Sequence, residues 1–373
     1  MFLLPLFLAT CLSPASVSSQ QPVGTITGHI QLPLIDAGSP TSLLEFNVQA
    51  SKVAKLSPKL VDGKHLSFPF SVNGYGQTNP ASPNLLLRLR VFCESSADQQ
   101  QWGIPVAREL TRIWAMNFEW LKFDHNIEVN SGIVDVYLCR EGTAGGEQLF
   151  GTDNEGGTDH PVDTIYIYNM ASFTDPLEEA REVAHEYGHA VMPAVGGYSQ
   201  PEYWANGYMG EKLFLRWIEI QMRIGALSPD DAMNAPLARL DHWVKLNTRD
   251  IETKASSLGP NAPLLRSTTA AGMAAYHGIV LYCDSIFPSR MFGRAFVLTG
   301  SQDAKDYPQA AVLASEEKTY SPKFPDYLLG NEVWIPVGND IVKNAKVLSV
   351  SMGWDKVIAS EGIVVIARGS TSN

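Results

Sequence analysis

The segment Asp175–Met192, DPLEEAREVAHEYGHAVM, decides how the rest of this chain is read. Asp175 followed by Pro176 is a strong helix start: Asp caps free amides, and Pro at the first helical position gives up no needed donor. Glu178, three residues on, completes the pattern of a capping box. Leu177, Ala180, Val183, Ala184 and Val191 recur on one face, and Pro193 ends the helix. On this amphipathic helix lies His185-Glu186-Tyr187-Gly188-His189. Residues i and i+4 share a helical face, so both imidazoles can reach one ion, with Glu186 beside them to hold a water. Gly188 costs about 1 kcal/mol inside a helix, which implies the close approach of another backbone.

Two histidines do not complete a zinc site, which takes three protein ligands and an open position for water. A histidine six residues after His189 would make a metzincin pattern, but Val195 stands there. After Gly196-Gly197, the segment SQPEYWANGYMGEKLFLRWIEIQM predicts a second helix carrying Glu202 and Glu211. Nine residues apart on one helix, these two point to opposite sides, so only one can face an ion. Ser199-Gln200-Pro201-Glu202 reads as a capping box, with Glu202 turned back to the helix start. Glu211, in mid-helix, is therefore the expected third ligand, and Glu202 its competitor.

The HEYGH motif, the downstream helix with Glu211 and a later helix over Thr268–Asp284 together resemble the gluzincins. This is the clan of thermolysin-like and aminopeptidase N-like metallopeptidases. The resemblance covers roughly residues 84–290, within a catalytic domain drawn over 84–300, and leaves both flanks outside it. It implies an α+β fold with a zincin-like catalytic domain: a small mixed sheet, an active-site helix and a helical subdomain. It also implies one Zn²⁺ ion held by His185, His189 and Glu211, with Glu186 as general base. The later helix carries Tyr276-His277-Gly278, similar to the helix on which aminopeptidase-type members place an oxyanion-stabilising tyrosine. Tyr276 is then the implied catalytic tyrosine and His277 its competitor. His242, on a helix predicted over Asp230–Leu246, is a third candidate. Leu215 stands where thermolysin-like members carry a supporting Asp, leaving Asn206 or another group to serve. The Gly-x-Met-Glu-Asn motif that receives a free amino terminus is missing, so the resemblance points to an endopeptidase acting on peptide or protein substrates. A zinc hydrolase of a non-protein amide and a peptidase-derived zinc-binding or adhesion protein are the alternatives.

Upstream of the motif, Leu86–Phe92 (LLRLRVF) and Ile133–Leu138 (IVDVYL) read as strands, with a helix over Gln100–Phe123 between them. That is a βαβ unit with parallel strands. Each strand runs into a cysteine, which places Cys93 and Cys139 at one end of the sheet and allows a disulfide in an exported chain, with two unpaired, half-buried thiols as the alternative. Cys283, in a helix, reads as a small core residue. Thr164–Tyr168 is a third strand, expected to be the rail along which an extended peptide adds. Asp153, Glu155, Asp159 and Asp163 make an acidic wall suited to basic substrates or Ca²⁺, although a solvated loop is the plainer reading. Residues 20–83 alternate apolar and polar over Thr25–Leu32, Leu44–Ala50 and His65–Val72, which predicts a β-rich N-terminal domain. Residues 301–373 form a β-rich C-terminal region with strands at Glu332–Pro336, Lys346–Ser351 and Gly362–Ala367.

The whole chain has 373 residues and a net charge of −11, without any run of Lys or Arg. A nucleic-acid binder needs a basic face to meet phosphates, so that class is excluded. Phe2–Leu12 (FLLPLFLATCL) is shorter than the ~20 apolar residues of a membrane span and fits a signal peptide over residues 1–19, cleaved after Ser19. The expected location is secreted or periplasmic, with no membrane span. Cys11 faintly resembles a lipoprotein anchor, but Thr10 before it is atypical.

Overall fold

The computed structural model describes residues 24–32, 42–52, 54–76, 86–121, 133–153 and 160–367; the expected signal peptide and Cys11 lie outside them. The first half of the chain forms β1 (Gly24–Leu32), β2 (Ser42–Ser51), β3 (Lys55–Val61), β4 (Lys64–Phe68), β5 (Phe70–Gly76), β6 (Leu86–Cys93), β7 (Val134–Leu138), β8 (Gly145–Asp153) and β9 (His160–Tyr168). The helices are α1 (Ser96–Asp98), α2 (Ile104–Met116), α3 (Pro176–Val191), α4 (Asn206–Arg223), α5 (Leu237–Val244), α6 (Asp250–Leu258), α7 (Ala270–Ile286), α8 (Ser289–Thr299) and α9 (Tyr307–Glu316). The chain is α+β.

One seven-stranded sheet, in the order β1-β2-β5-β6-β7-β9-β8, organises the molecule. Strands β6, β7 and β9 run parallel, as the βαβ pattern requires, and α2 crosses between β6 and β7. The period of two then sorts side chains to the two faces. Val134, Val136 and Leu138 of β7 join the large core under the helices, together with Val91, Cys93, Ile165 and Ile167. On the other face Phe92, Tyr137 and Tyr166 are register partners on β6, β7 and β9, and their rings stack at 5.0 Å from strand to strand. The β3–β4 hairpin covers this ladder, with Phe68 edge-on to Tyr137 at 5.1 Å. Buried Asp135, on the same face, takes Arg90 at 2.6 Å and Lys55 at 3.0 Å.

Several expectations change on this sheet. The N-terminal strands are not a separate β layer: β1, β2 and β5 pair with one another, and β5 pairs with β6, so the boundary drawn at residue 83 falls within a continuous sheet. Thr164–Tyr168 is not an edge, because β9 is flanked by β7 and β8; the edge strand is β8, antiparallel to β9. The sequence around β8 reads as a glycine-rich acidic loop, which is why the strand was not expected. Cys93 and Cys139 are free. Cys93 is the register partner of Leu138, so Cys139, one residue further, faces the opposite side of the sheet. Asp163 is fully buried on β9 and belongs to no acidic wall, while the side chains of Asp153, Glu155 and Asp159 lie outside the described residues.

The C-terminal strands β10 (Glu332–Pro336), β11 (Ile341–Lys343), β12 (Ser349–Ser351), β13 (Trp354–Ile358) and β14 (Val364–Ile366) form two small sheets, β10-β13-β12 and β11-β14, apart from the large one. Val333, Ile335, Val357 and Val365 nevertheless join the same core as the helices. No helix among the described residues is long and apolar enough to cross a membrane.

Burial raises Asp163 to about 7, against a hydrogen bond from Gln148 that favours its charge. The native state therefore holds this proton more tightly than the unfolded chain, and stability falls as pH rises from about 4 to about 7. Asp163→Asn removes that slope. Thermal melts should show the variant matching the wild type near pH 4 and exceeding it above pH 7.5 by about 2 °C or more.

Candidate metal centre

Helix α3 begins as expected: Asp175 accepts a hydrogen bond from the Leu177 amide at 3.1 Å, with Pro176 at its first position. The capping box is not completed, because Glu178 pairs with Arg181 at 2.7 Å instead of reaching back. The close approach expected at Gly188 is present, and α4 supplies it. A Cβ on Gly188 would lie 2.7 Å from the Asn206 carbonyl oxygen and 2.9 Å from Gly210 Cα. A Cβ on Gly207 would lie 2.3 Å from His189 Nε2 and 2.6 Å from His185 Nε2. The first turn of α4 thus packs backbone against the two histidines.

The two Nε2 atoms face each other at 3.2 Å. The nearest carboxylate is Glu202, with Oε2 at 3.2 Å from His185 Nε2 and 3.5 Å from His189 Nε2. Among the described residues, His185, His189 and Glu202 form the group able to hold a metal ion. Four ligands at tetrahedral angles, each about 2.0–2.1 Å from an ion, stand about 3.3 Å apart, so this triangle matches such a site. The donor set also suits a cation: two imidazole nitrogens and a carboxylate oxygen converge on one point.

Glu202, not Glu211, therefore meets both Nε2 atoms. The reason lies in where the helix starts. Helix α4 opens at Asn206, so Glu202 lies in the preceding loop and is no capping residue. Glu211 is buried on the other side of His185, with Oε2 at 3.4 Å from Nδ1, and receives Arg181 Nε at 2.7 Å. His189 Nδ1 donates to Asn206 Oδ1 at 2.9 Å, so Asn206 takes the supporting role left open by Leu215. With both Nδ1 atoms held, both Nε2 lone pairs are aimed inward.

Electrostatics agree. Burial works against charge on His185, but hydrogen bonds to Glu202 and Glu211 outweigh it and raise the imidazole to about 10. Burial likewise opposes charge on Glu202, and the two histidines overcome it, lowering the carboxyl to about 2. The two carboxylates thus favour positive charge on His185. Beside it, burial pushes Glu186 up to about 7 against the pull of both histidines, and its Oε2 has no hydrogen-bond partner. Gly146 of β8 presses on this residue: a Cβ there would lie 2.4 Å from Glu186 Cγ.

These groups open on a cleft of about 690 Å³ that also takes in Arg181, Glu182, Trp204 and Tyr208. Neither Tyr276 nor His277 lines it. Tyr276 is buried beside Tyr307, and His277 donates from Nε2 to the Ala205 carbonyl at 3.0 Å, with burial driving it down to about 3. Both belong to the packing behind α4. His242 is exposed on α5 and lines no part of the cleft. The tyrosine at the site is Tyr208, perpendicular to His185 at 4.6 Å between ring centres. Its position three residues before Glu211 on one helix face was the available signal. Arg181, four residues before His185, was legible in the same way.

Comparison with protein-family models, with curated proteins and with solved structures finds no match for this chain.

Two alanine substitutions separate packing from metal binding. Gly188→Ala drives a methyl into backbone and should cost about 1–3 kcal/mol of stability. Gly207→Ala meets the imidazoles instead. Titration with Zn²⁺ should find its affinity lowered at least tenfold, with a smaller loss in melting temperature than Gly188→Ala causes.

Proposed function

We propose that this chain is an exported zinc-dependent peptidase of zincin-like build, an endopeptidase, with His185, His189 and Glu202 as ligands and Glu186 as general base. One observation carries this reading: a tetrahedrally spaced His-His-Glu triangle lining a cleft, with a buried carboxylate beside it that has one unpartnered oxygen. A purely structural metal site has no use for that carboxylate. When bound, a zinc ion supplies Lewis acidity and makes a water acidic enough to react near neutral pH.

The chain's own groups do the rest. Glu186, held near neutrality by burial, takes the proton of the attacking water and passes it to the leaving amine. Gly146 keeps the β8 backbone against Glu186 and shields it from bulk water. Glu211, anchored by Arg181, fixes the tautomer of His185, and Asn206 does the same for His189. Tyr208, the one tyrosine among the described residues that line the cleft, takes the role expected of Tyr276 and donates its hydroxyl to the developing oxyanion. The outer edge of β8, unpaired among the described residues, receives the substrate backbone as an added strand, the place expected of Thr164–Tyr168.

Bound zinc per chain, measured with casein cleavage, tests each role. Wild type should hold one ion and cut casein, and His189→Ala and Glu202→Ala should lose both. Glu211→Ala should keep the site but bind zinc about 10–100-fold more weakly. Glu186→Gln should keep full zinc and lose about 10²–10⁴-fold in kcat. Tyr208→Phe should keep zinc and lose about 10²–10³-fold in kcat. If Glu211→Ala strips the zinc and Glu202→Ala retains it, Glu211 is the ligand after all. A wild type that binds zinc but spares casein overturns the peptidase claim.

A further inference from the structure

The loop between α3 and α4 does more than deliver Glu202. It returns on itself through backbone hydrogen bonds, Ala205 to Val195 at 2.7 Å and Tyr198 to Tyr203 at 3.2 Å. His277 holds its last carbonyl, and the Ser199 amide is tied to Thr268 at 2.8 Å. On the returning arm stand Tyr203 and Trp204, 58% and 37% exposed, two large rings packed edge to face at 4.9 Å. Trp204 lines the cleft, two residues beyond Glu202. Its indole is seated by Gly196, where a Cβ would come within 2.5 Å of the ring.

Such an aromatic pair is costly to leave in water, and here the backbone ties prevent it from folding away. Leu149 and Phe173 line the same cleft, so Trp204 is not its only apolar surface. From this geometry we infer that Trp204, steadied by Tyr203, is the specificity-determining surface of the cleft and receives a large apolar or aromatic side chain of the substrate peptide. A rigid indole at the mouth gives contact area with little ordering entropy, which favours a ring or a branched chain over a small or polar residue. The occupant is taken to be a peptide side chain because the surface is continuous with the cleft that holds the metal-ligand group. This rests on the peptidase reading for the nature of the ligand, though binding can be measured without turnover.

The test uses fluorescence anisotropy with two labelled pentapeptides, all alanine except for Phe or Ala at the centre, on the full-length, zinc-loaded chain carrying Glu186→Gln to prevent cleavage. The Phe peptide should bind at least tenfold more tightly than the Ala peptide. Trp204→Ala should reduce that preference below threefold, with zinc content and circular dichroism unchanged. Gly196→Ala, which displaces the indole without removing it, should reduce the preference in the same direction. An undiminished preference in Trp204→Ala overturns the inference, as does a parent protein that prefers neither peptide. Failure of the peptidase reading shows separately, as absent zinc or uncut casein in the wild type; the Phe preference can be present or absent in either case.

Discussion

The site depends on one crossing of two helices at which neither has room for a side chain. Gly188 of α3 and Gly210 of α4 meet so closely that a Cβ on Gly210 would stand 2.4 Å from Gly188 Cα. Each of these glycines costs about 1 kcal/mol in a helix interior, and helix geometry offers no local compensation. The return comes from the contact itself. With α4 against α3, Gly207 lies over both imidazoles, Asn206 reaches His189 Nδ1, and Glu211 reaches His185 Nδ1. A larger residue at the crossing would move all three away together. Geometry at the donor atoms is thus set by backbone packing, a stiffer constraint than any side-chain hydrogen bond.

The charges follow from that packing. Glu202 and Glu211 flank His185 on its two ring nitrogens, and isolated burial of either carboxylate would be prohibitive. Glu211 is compensated within the protein, by Arg181 and by the nearby charge of Lys212, so it can stay ionised where it is almost fully covered. Glu202 pairs with the two histidines themselves, and Lys212 adds its charge from further away. This asymmetry separates the two glutamates. One is held by a fixed guanidinium and suited to orienting a ring; the other leans on the two imidazoles and is placed to share an ion with them.

Much of this was legible in the sequence because it rested on local rules. The helical spacing of His185 and His189, the Asp175 cap and the meaning of Gly188 all follow from positions within one helix, and the parallel βαβ unit follows from strand and helix patterning. What failed was decided elsewhere in the fold. Glu202 matched a capping box in pattern, but the loop that ties Ala205 to Val195 delays the helix to Asn206 and frees Glu202 to turn inward. Tyr276 and His277 sit on a helix of the expected kind, yet the loop they pack against lies between them and the cleft, as the His277–Ala205 hydrogen bond shows. Cys93 and Cys139 end neighbouring strands, but a one-residue offset sends them to opposite faces. In each case the direction of the side chain depended on contacts distant in sequence.

Strand β8 shows the same dependence from the other side of the cleft. Its sequence, GGEQLFGTD, is poor in the branched residues that favour strands, and it is held by pairing with β9 rather than by propensity. Two of those glycines lie where the strand passes Glu182 and Glu186: Gly145 has a positive φ of 133°, and Gly146 admits the Glu186 side chain where a Cβ would stand. A sequence better suited to a strand would push the edge away from α3 and widen the gap above Glu186. The edge is locally weak where it lies close to the buried Glu186 carboxylate, and the stacked rings of Phe92, Tyr137 and Tyr166 stiffen the strands behind it. The aromatic ladder and the glycine-rich edge are two parts of one arrangement: a sheet stiff enough at its centre to carry an edge shaped for contact with the site.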